Sequence, residues 1–222
     1  MKFDPDNLAT ALQSMPPCNS VLLGLSGGVD SIALLHALQS LRVDSRVSFA
    51  LRAIHVHHGL QVEADGWQAF CEAFCDAHQI PLEVALVHVE IGEPGNNAGL
   101  ENAARNARYQ AFETSMQEGE ALLLAHHLDD QLETFLLRLM RGAGTRGLSA
   151  MPHYRLLGKS FLFRPLLEFS RESIEAYAGE QDLQWVEDTS NADTHFDRNY
   201  CRHELMPRIQ QRWPDYRDSW SK

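Results

Sequence analysis

The sequence lacks the features of a secreted or membrane-spanning protein. No run approaches the roughly 18 consecutive apolar residues of a transmembrane helix, and the amino-terminal MKFDPDNLAT has no apolar signal-peptide core. Four cysteines occur without the spacing of a disulfide framework or a zinc site. We therefore expect a reducing, cytoplasmic setting and no membrane partner.

Lysine and net positive charge are also scarce. The chain has 19 basic against 30 acidic residues, a net charge of −11, and sixteen of the basic residues are arginine. This balance argues against a general nucleic-acid-binding protein. However, residues 141–222 carry 12 basic and 12 acidic residues, so the negative charge lies in the first 140 residues. Arginine suits bidentate phosphate contacts, which leaves room for a polyanionic partner that meets one local face.

Short apolar segments alternate with amphipathic helical patterns along the 222 residues. This alternation predicts an α/β domain with an open, mostly parallel sheet and helices on both faces, followed by a small C-terminal helical extension. The predicted strands are 21–25, 51–56, 81–91, 121–125, a hairpin of 153–157 and 160–164, and a short strand 184–186.

The stretch VLLGLSGGVDS (21–31) predicts a strand, a tight turn and the start of a helix. Gly27 and Gly28 let the backbone approach an anion closely, and the N–H groups of the first helical turn point at it. The hydroxyls of Ser26 and Ser31 add donors. The stretch has neither the lysine of a Walker A motif nor a G-x-G-x-x-G pattern. It predicts a phosphate cradle; the alternative is an ordinary glycine-rich turn.

Asp30 stands inside this predicted anion cradle. A carboxylate there repels phosphate unless a cation lies between the two. Its presence therefore suggests a bridging Mg²⁺.

Histidines follow two of the predicted strands. His55, His57 and His58 end one strand, and His126 and His127 end another. Ligands of open α/β sheets bind at this carboxyl edge, so we expect a functional rim, with His57 the best candidate of the first group. The alternative is a set of surface or capping residues.

Charged residues on two predicted helices complete the candidates. Asp130 and Glu133 are three residues apart, so both carboxylates face the same way and can hold an ammonium group or a metal; the alternative is N-terminal capping. Arg105 and Arg108 can contact a triphosphate if their end of the helix faces the cradle. The alternative there is a solvated ion pair of Glu101 with Arg105.

SGGVDS resembles the pyrophosphate loop of the N-type ATP pyrophosphatases. Further segments together resemble one branch of that superfamily, the tRNA(Ile)-lysidine synthetases. They are HVHHGL (55–60), ENAARNARY (101–109), HHLDDQLET (126–134), RGAGTRGLSAM (141–151), RPLL (164–167) and EDTSNADTHFDRNYCRHELMP (187–207). Gln61 departs from the family pattern, which usually has arginine there.

The resemblance implies an adenine nucleotide alpha hydrolase-like fold and a two-step reaction. ATP adenylates the carbonyl oxygen at position 2 of the wobble cytidine in an isoleucine tRNA. Free L-lysine then attacks that carbon through its ε-amine and expels AMP. The implied cofactors are ATP and Mg²⁺, and the implied partners are the tRNA and lysine. Residues 1–205 are expected to be the catalytic domain, and 206–222 the start of a truncated C-terminal extension.

The resemblance also assigns roles to individual residues. ATP is expected to contact Ser26, Gly27, Gly28, Val29, Asp30, Ser31, His57 and Arg105, with Mg²⁺ on Asp30 and His126 near the α-phosphate or adenylate. Lysine is expected to contact Asp130 and Glu133 through its ammonium group and Arg198 through its carboxylate.

Two alternatives from other classes stay open on the sequence. One is a tRNA thiolase of the same superfamily, which would need a nucleophilic or cluster-binding cysteine near the cradle. The other is a non-catalytic adenine-nucleotide-binding module, which would need no acidic and imidazole groups at the sheet edge. Release of pyrophosphate distinguishes the enzymes from the module, and dependence on lysine distinguishes the two enzymes.

Overall fold

A computed structural model describes residues 1–59, 62–88, 97–144 and 148–220, without the side chains of 97–101 and 218. The helices are α1 (Pro5–Leu12), α2 (Val29–Val43), α3 (Ala64–Ala77), α4 (Asn97–Ser115), α5 (Leu128–Met140), α6 (Arg171–Glu180), α7 (Asp197–Tyr200), α8 (Met206–Arg212) and α9 (Tyr216–Trp220). The strands are β1 (Ser20–Gly24), β2 (Ala50–His57), β3 (Leu82–Leu86), β4 (Glu120–Leu123), β5 (Tyr154–Leu157) and β6 (Ser160–Phe163). Within these ranges, every helix is too short or too polar to span a bilayer.

The strands form one sheet in the order β3-β2-β1-β4-β6-β5, and only the β5–β6 pair is antiparallel. From β1 the chain builds outward through β2 to β3. Helix α4 then carries it back to β4, on the other side of β1. The strand order therefore reverses between β1 and β4, and ligands of open α/β sheets bind at the carboxyl ends of such strands.

Apolar clusters cover both faces of the sheet, as the alternating pattern predicts. On one face, side chains of α1, α2, α3 and α6 pack against the strands. On the other, Phe112 and Tyr109 of α4 pack against Leu22, Ile54 and the hairpin. A third cluster joins α5 to the C-terminal helices through Leu132, Leu136, Cys201, Met206 and Tyr216. The small helical extension is thus anchored on α5.

Most predicted strands are confirmed within one or two residues, but two predictions need correction. The predicted strand 184–186 is wrong: that segment forms no strand. Its Val186 N–H instead donates to the Gly27 carbonyl at 3.0 Å, so the segment buttresses the glycine turn through one bond. Strand β3 ends at Leu86, whose side chain is 77% exposed, and residues 87 and 88 of the predicted strand 81–91 are not part of it; residues 89–91 lie outside the described residues.

The C-terminal helix changes register where the sequence places Pro207. Residues Cys201–Leu205 form a π-helical turn in which the Met206 N–H donates to the Cys201 carbonyl, and Pro207 then occupies the first turn of α8. Proline has no N–H and is tolerated only in such a first turn, which explains the break at this point.

Candidate active site

The two serines that flank the glycine turn after β1 form hydrogen bonds with each other and with its backbone. The Ser26 N–H donates to Ser31 Oγ at 3.2 Å, and the two hydroxyl oxygens lie 3.1 Å apart. The Ser31 hydroxyl also donates to the Gly28 carbonyl at 3.0 Å. Gly28 is the N-cap of α2 and gives it no side-chain cap. The first N–H groups of α2 are thus available to an anion.

Gly27 is required by both conformation and space. Its φ of +87° lies in the region that glycine alone adopts readily. A Cβ on Gly27 would lie 2.8 Å from Val186 Cγ2 and 3.3 Å from Cys71 Sγ. The turn is thus tightly packed from behind, and any ligand must approach from its open side.

Asp30 lies in the first turn of α2, next to the glycine turn. Its Oδ1 is buried without a hydrogen-bond partner among the described residues, and its pKa is raised because burial disfavours the charged form. A cation next to Asp30 would stabilise its charged form, so this carboxylate is suited to bind Mg²⁺. The described residues contain no group of three metal-ligating side chains.

His127 joins the glycine-turn side of the cleft to α5. Its Nδ1 accepts the Asp130 N–H at 3.4 Å, and the His127 N–H donates to Asp130 Oδ2 at 3.1 Å, so the pair caps α5 reciprocally. Since Nδ1 is an acceptor, the proton is on Nε2, which lies 3.7 Å from Asp30 Oδ2 and 3.5 Å from Asp130 Oδ2. The capping alternative therefore holds for His127 and Asp130. The capping residue His127 also lies between the carboxylates of Asp30 and Asp130.

The predicted lysine-binding residues lie together, but an arginine already occupies their centre. Glu133 is 1% exposed and accepts two bonds from Arg202, at 2.7 and 3.0 Å. Arg202 also donates to Asp130 Oδ1 at 3.2 Å. The Arg198 guanidinium is 3.3 Å from Glu133 Oε2 and donates to Thr134 Oγ1 at 2.9 Å.

Charge and burial oppose one another in this network. Burial alone would raise the pKa of Asp130, yet its imidazole and guanidinium neighbours hold that pKa low, at about 2. For Glu133, burial outweighs the arginines and raises the pKa. Sequence reasoning missed Arg202, although its spacing of four from Arg198 was a usable signal that both lie on one helix face.

His126 lies between the end of β4 and His127, the N-cap residue of α5. Burial first, and then Arg164, Arg198 and Arg105, lower its pKa to about 3 against the opposing effect of Asp130, so the ring is neutral. Its Nδ1 is buried without a partner among the described residues. Arg105, on α4, donates to the Tyr109 hydroxyl at 3.4 Å.

His55 and His57 lie among the last three residues of β2, and each contacts another part of the protein. His57 Nε2 lies 2.9 Å from Asp65 of α3, and His55 Nδ1 lies 2.9 Å from the carbonyl oxygen of Leu25. His57 thus has a protein partner on α3, and its proposed contact with ATP stays a prediction. Gln61 lies outside the described residues.

One cleft of about 820 Å³ connects the glycine turn and the acidic side of α5. Its lining includes Ser26, Gly28, Val29 and Asp30 from the turn and Asp129, Glu133 and Arg202 from the opposite wall. The volume suits a nucleotide. We call Asp129 and Glu133, together with the neighbouring Asp130, the acidic wall. The cleft thus contains an anion cradle, the carboxylate of Asp30 and the acidic wall. This arrangement is suited to phosphoryl or nucleotidyl transfer next to a bound amine.

Comparison with known proteins places these features in context. The model of the PP-loop domain family matches residues 5–209. The chain is 52% identical over 206 residues to a tRNA(Ile)-lysidine synthase of Pseudomonas aeruginosa, covering 91% of this chain and 45% of that protein. It is 48% identical over 217 residues to one of Pectobacterium atrosepticum, covering 97% and 48%. The chain thus spans about half the length of these curated relatives.

Two solved structures share the fold. A U34-tRNA thiolase from Methanococcus maripaludis, solved with its iron–sulfur cluster, matches with a TM-score of 0.72 at 15% identity, covering 97% of this chain and 75% of that one. An NH₃-dependent NAD synthetase from Campylobacter jejuni matches with a TM-score of 0.50 at 18% identity, covering 81% and 71%. At these identities the likeness concerns the fold alone.

Proposed function

The chain belongs to the PP-loop domain family, and from that membership we propose that it carries the catalytic domain of a tRNA(Ile)-lysidine synthetase. The proposed reaction consumes ATP and free lysine and converts the wobble cytidine of an isoleucine tRNA to lysidine, with release of AMP and pyrophosphate. Relatives of that name at about half identity support the proposal. So does the cleft that joins the anion cradle to an acidic wall.

In the first step, the chain's role is to hold ATP and to stabilise charge. We propose that Ser26, Gly27, Gly28 and the first N–H groups of α2 bind the outer phosphates, since α2 lacks a side-chain cap. Val29 and Ser31 form the rim of the cradle. His126 is proposed to face the α-phosphate as a neutral ring, because its low pKa keeps it uncharged at neutral pH. Positioning and electrostatics carry this step.

Mg²⁺ is proposed to bind at Asp30, whose buried Oδ1 has no partner among the described residues. When bound there, it would neutralise the phosphate charge that develops as the bond to pyrophosphate breaks. The protein's part is to place one carboxylate oxygen next to the cradle. His127 Nε2 lies beside this carboxylate, 3.7 Å from Asp30 Oδ2.

In the second step, the lysine ammonium group loses a proton to water, its ε-amine forms a bond to the activated cytidine carbon, and the C–O bond to AMP breaks. We propose that Asp130 and Glu133 attract its ammonium group and that Arg198 contacts its carboxylate. Each charge-assisted contact contributes roughly 1.5–3 kcal/mol. Because Arg202 forms a bidentate pair with Glu133, lysine must enter beside Arg202 or shift it. His57 and Arg105 are proposed at the edge of the ATP site.

The thiolase alternative has less support. All four cysteines lie in the described part of the chain, and Cys71, Cys75 and Cys201 are buried. Burial raises the pKa of the Cys71 thiol to about 12 and those of Cys75 and Cys201 to about 11. Such thiols are poor nucleophiles at neutral pH. The nucleotide-binding module is disfavoured by the acidic wall, which ATP binding alone does not require.

We further propose that the catalytic domain corresponds to residues 1–205 and acts in the cytoplasm, where its tRNA substrate is found. Residues 206–222 are proposed to begin a C-terminal extension. They pack on α5 through Met206 and Tyr216, so this extension would move with the acidic wall.

The shared cleft is the observation that carries the proposal. The decisive assay incubates the protein with an isoleucine tRNA transcript, ATP and either lysine or no amino acid, and measures pyrophosphate release. A lysidine-forming enzyme needs lysine for turnover. Pyrophosphate release that ignores lysine would contradict the proposal, as would the absence of release.

A further inference from the structure

Arg155 and Arg164 have no role in the reaction as proposed above, and they lie near Arg105, which is proposed at the edge of the ATP site. Arg164 directly follows β6, and Phe163 is paired with Leu123 of β4. The Leu124 N–H donates to the Phe163 carbonyl at 3.1 Å. Arg164 therefore reaches the carboxyl edge of the sheet beside the segment that carries His126, one strand farther from the glycine turn.

Tyr109 of α4 brings further guanidinium groups to the same place. The Cζ atoms of Arg105 and Arg155 lie 4.9 and 5.0 Å from the centroid of the Tyr109 ring. Burial alone would raise the pKa of Tyr109, but the charges of Arg105, Arg155 and Arg164 hold that pKa below its usual value. We call Tyr109 and these three arginines the arginine cluster.

The arginine cluster has more cationic donors than the described residues satisfy. Arg164 is 3% exposed, its Nη1 donates to the Pro152 carbonyl at 2.8 Å, and its Nε is buried without a partner. Arg105, Arg155 and Arg164 each form no salt bridge with any carboxylate that the structure describes. Burial lowers the pKa of Arg164; its contact with the Tyr109 hydroxyl opposes that effect, and the guanidinium groups of Arg155 and Arg105 add to it. Bringing like charges together costs free energy, which an anion would recover.

We propose that the arginine cluster binds a backbone phosphate of the RNA substrate. This inference rests on the proposed function, because it places the RNA beside the ATP cleft. Planar guanidinium groups suit bidentate phosphate contacts, and stacking on Tyr109 holds two of them in place.

The position of the cluster favours RNA over ATP as the source of the phosphate. The outer ATP phosphates are assigned to the turn after β1, and β4 lies between β1 and β6, which separates that turn from Arg164 by about 10 Å at the usual strand spacing. Arg155, on β5, lies one strand farther from the turn. A nucleotide that presents its base above β4 carries a phosphodiester on either side. Arg105 is exposed and Arg155 lies on β5, the edge strand of the described sheet, so a polymer can reach both.

The test measures binding of the 222-residue chain to a synthetic anticodon stem–loop of an isoleucine tRNA, by fluorescence anisotropy over a range of salt concentrations, and ATP binding in parallel. Arg155→Gln should weaken RNA binding about tenfold at low salt and reduce the slope of log affinity against log salt by roughly 0.7–0.9, the effect of one phosphate contact. ATP affinity should stay within about twofold, as expected for a contact that ATP does not use.

Two further variants control for charge and folding. Arg46→Gln removes an equal charge from an exposed ion pair with Asp6 at the opposite edge of the sheet, and should leave RNA binding unchanged. Arg164→Lys keeps the charge but loses the planar fork, and should also weaken RNA binding. Because Arg164 is buried, the thermal unfolding of the Arg164→Lys variant must be compared with that of the parent chain. If Arg164→Lys does not fold, the result for Arg155→Gln alone tests the inference.

The outcomes separate this inference from the proposed function. No RNA binding by the parent chain, an unchanged affinity and salt slope in Arg155→Gln, or a loss of ATP affinity instead of RNA affinity would each overturn the phosphate assignment. If Arg155→Gln weakens RNA binding while the parent protein shows no lysine-dependent turnover, the proposed function fails and the phosphate site stands.

Discussion

The substitution Glu133→Gln tests the lysine assignment most sharply, because the structure shows what Glu133 already does. The carboxylate is 1% exposed, accepts two bonds from Arg202 and lies 3.3 Å from Arg198. Loss of one partner of a buried ion pair costs about 3–5 kcal/mol of unfolding free energy. Arg202 keeps its bond to Asp130 at 3.2 Å, and burial raises the pKa of Glu133 because it disfavours the charged form, so we expect a loss at or below the lower end of this range.

The catalytic effect should be separate from the loss of stability. If Glu133 attracts the lysine ammonium, its neutral amide should raise the lysine concentration needed for half-maximal turnover by roughly 10- to 150-fold, the equivalent of 1.5–3 kcal/mol. ATP binding and adenylation should change little, since they are assigned to the turn after β1.

The assay follows pyrophosphate release against lysine concentration, at a temperature where urea unfolding shows the variant to be folded. Glu180→Gln is the matched control, because Glu180 is exposed and pairs only with Lys2 in the described part of the chain. An unchanged lysine dependence in folded Glu133→Gln would refute the reasoning and leave Glu133 as a structural partner of Arg202.

Three further substitutions test other parts of the site. Asp30→Asn should reduce pyrophosphate release by roughly a hundredfold or more without loss of thermal stability, since it removes a charge that burial disfavours; near-normal release would contradict the metal role. Burial lowers the pKa of His126 to about 3, so the fold keeps the full stability that depends on its neutral ring above the unfolded pKa of about 6.5 and loses about 1.4 kcal/mol per pH unit as the pH drops toward 3. The free energy of unfolding of His126→Asn, measured in urea, should therefore depend less steeply on pH than that of the parent chain. An unchanged slope would contradict the lowered pKa. Gly27→Ala should destabilise by about 1–3 kcal/mol through its φ of +87° and a contact with Val186, and more than Gly158→Ala, where φ is +56° but no atom lies within 4 Å of the new Cβ; equal melting temperatures would show that the contact has no effect.

The fold was largely predictable because buried parallel strands and amphipathic helices leave strong periodic patterns. The anion cradle was predictable for a local reason: the turn, its serines and its acid are contiguous in the sequence. The prediction of a strand at 184–186 was wrong because two apolar residues, Trp185 and Val186, suggested a buried strand. The segment forms no strand ladder with the described strands, and its Val186 N–H donates to the Gly27 carbonyl.

The partners of the acidic wall could not be read in the same way. Arg202 is 69 residues from Glu133 along the chain, and no local pattern shows which cation a buried carboxylate meets. The bridge from His127 to Asp30 likewise depends on strand order. The sequence could suggest that both patches lie at the carboxyl edge, but only the reversal of strand order between β1 and β4 places them across one cleft.

The central claim is that the cleft joins ATP chemistry at the glycine turn to lysine binding at the acidic wall. The most direct measurement is mass analysis of an isoleucine tRNA transcript after incubation with the protein, ATP and isotopically labelled lysine. We predict that the label appears on the wobble cytidine, that one AMP and one pyrophosphate form for each lysine incorporated, and that Asp30→Asn abolishes both. ATP cleavage with no label in the tRNA would contradict the claim.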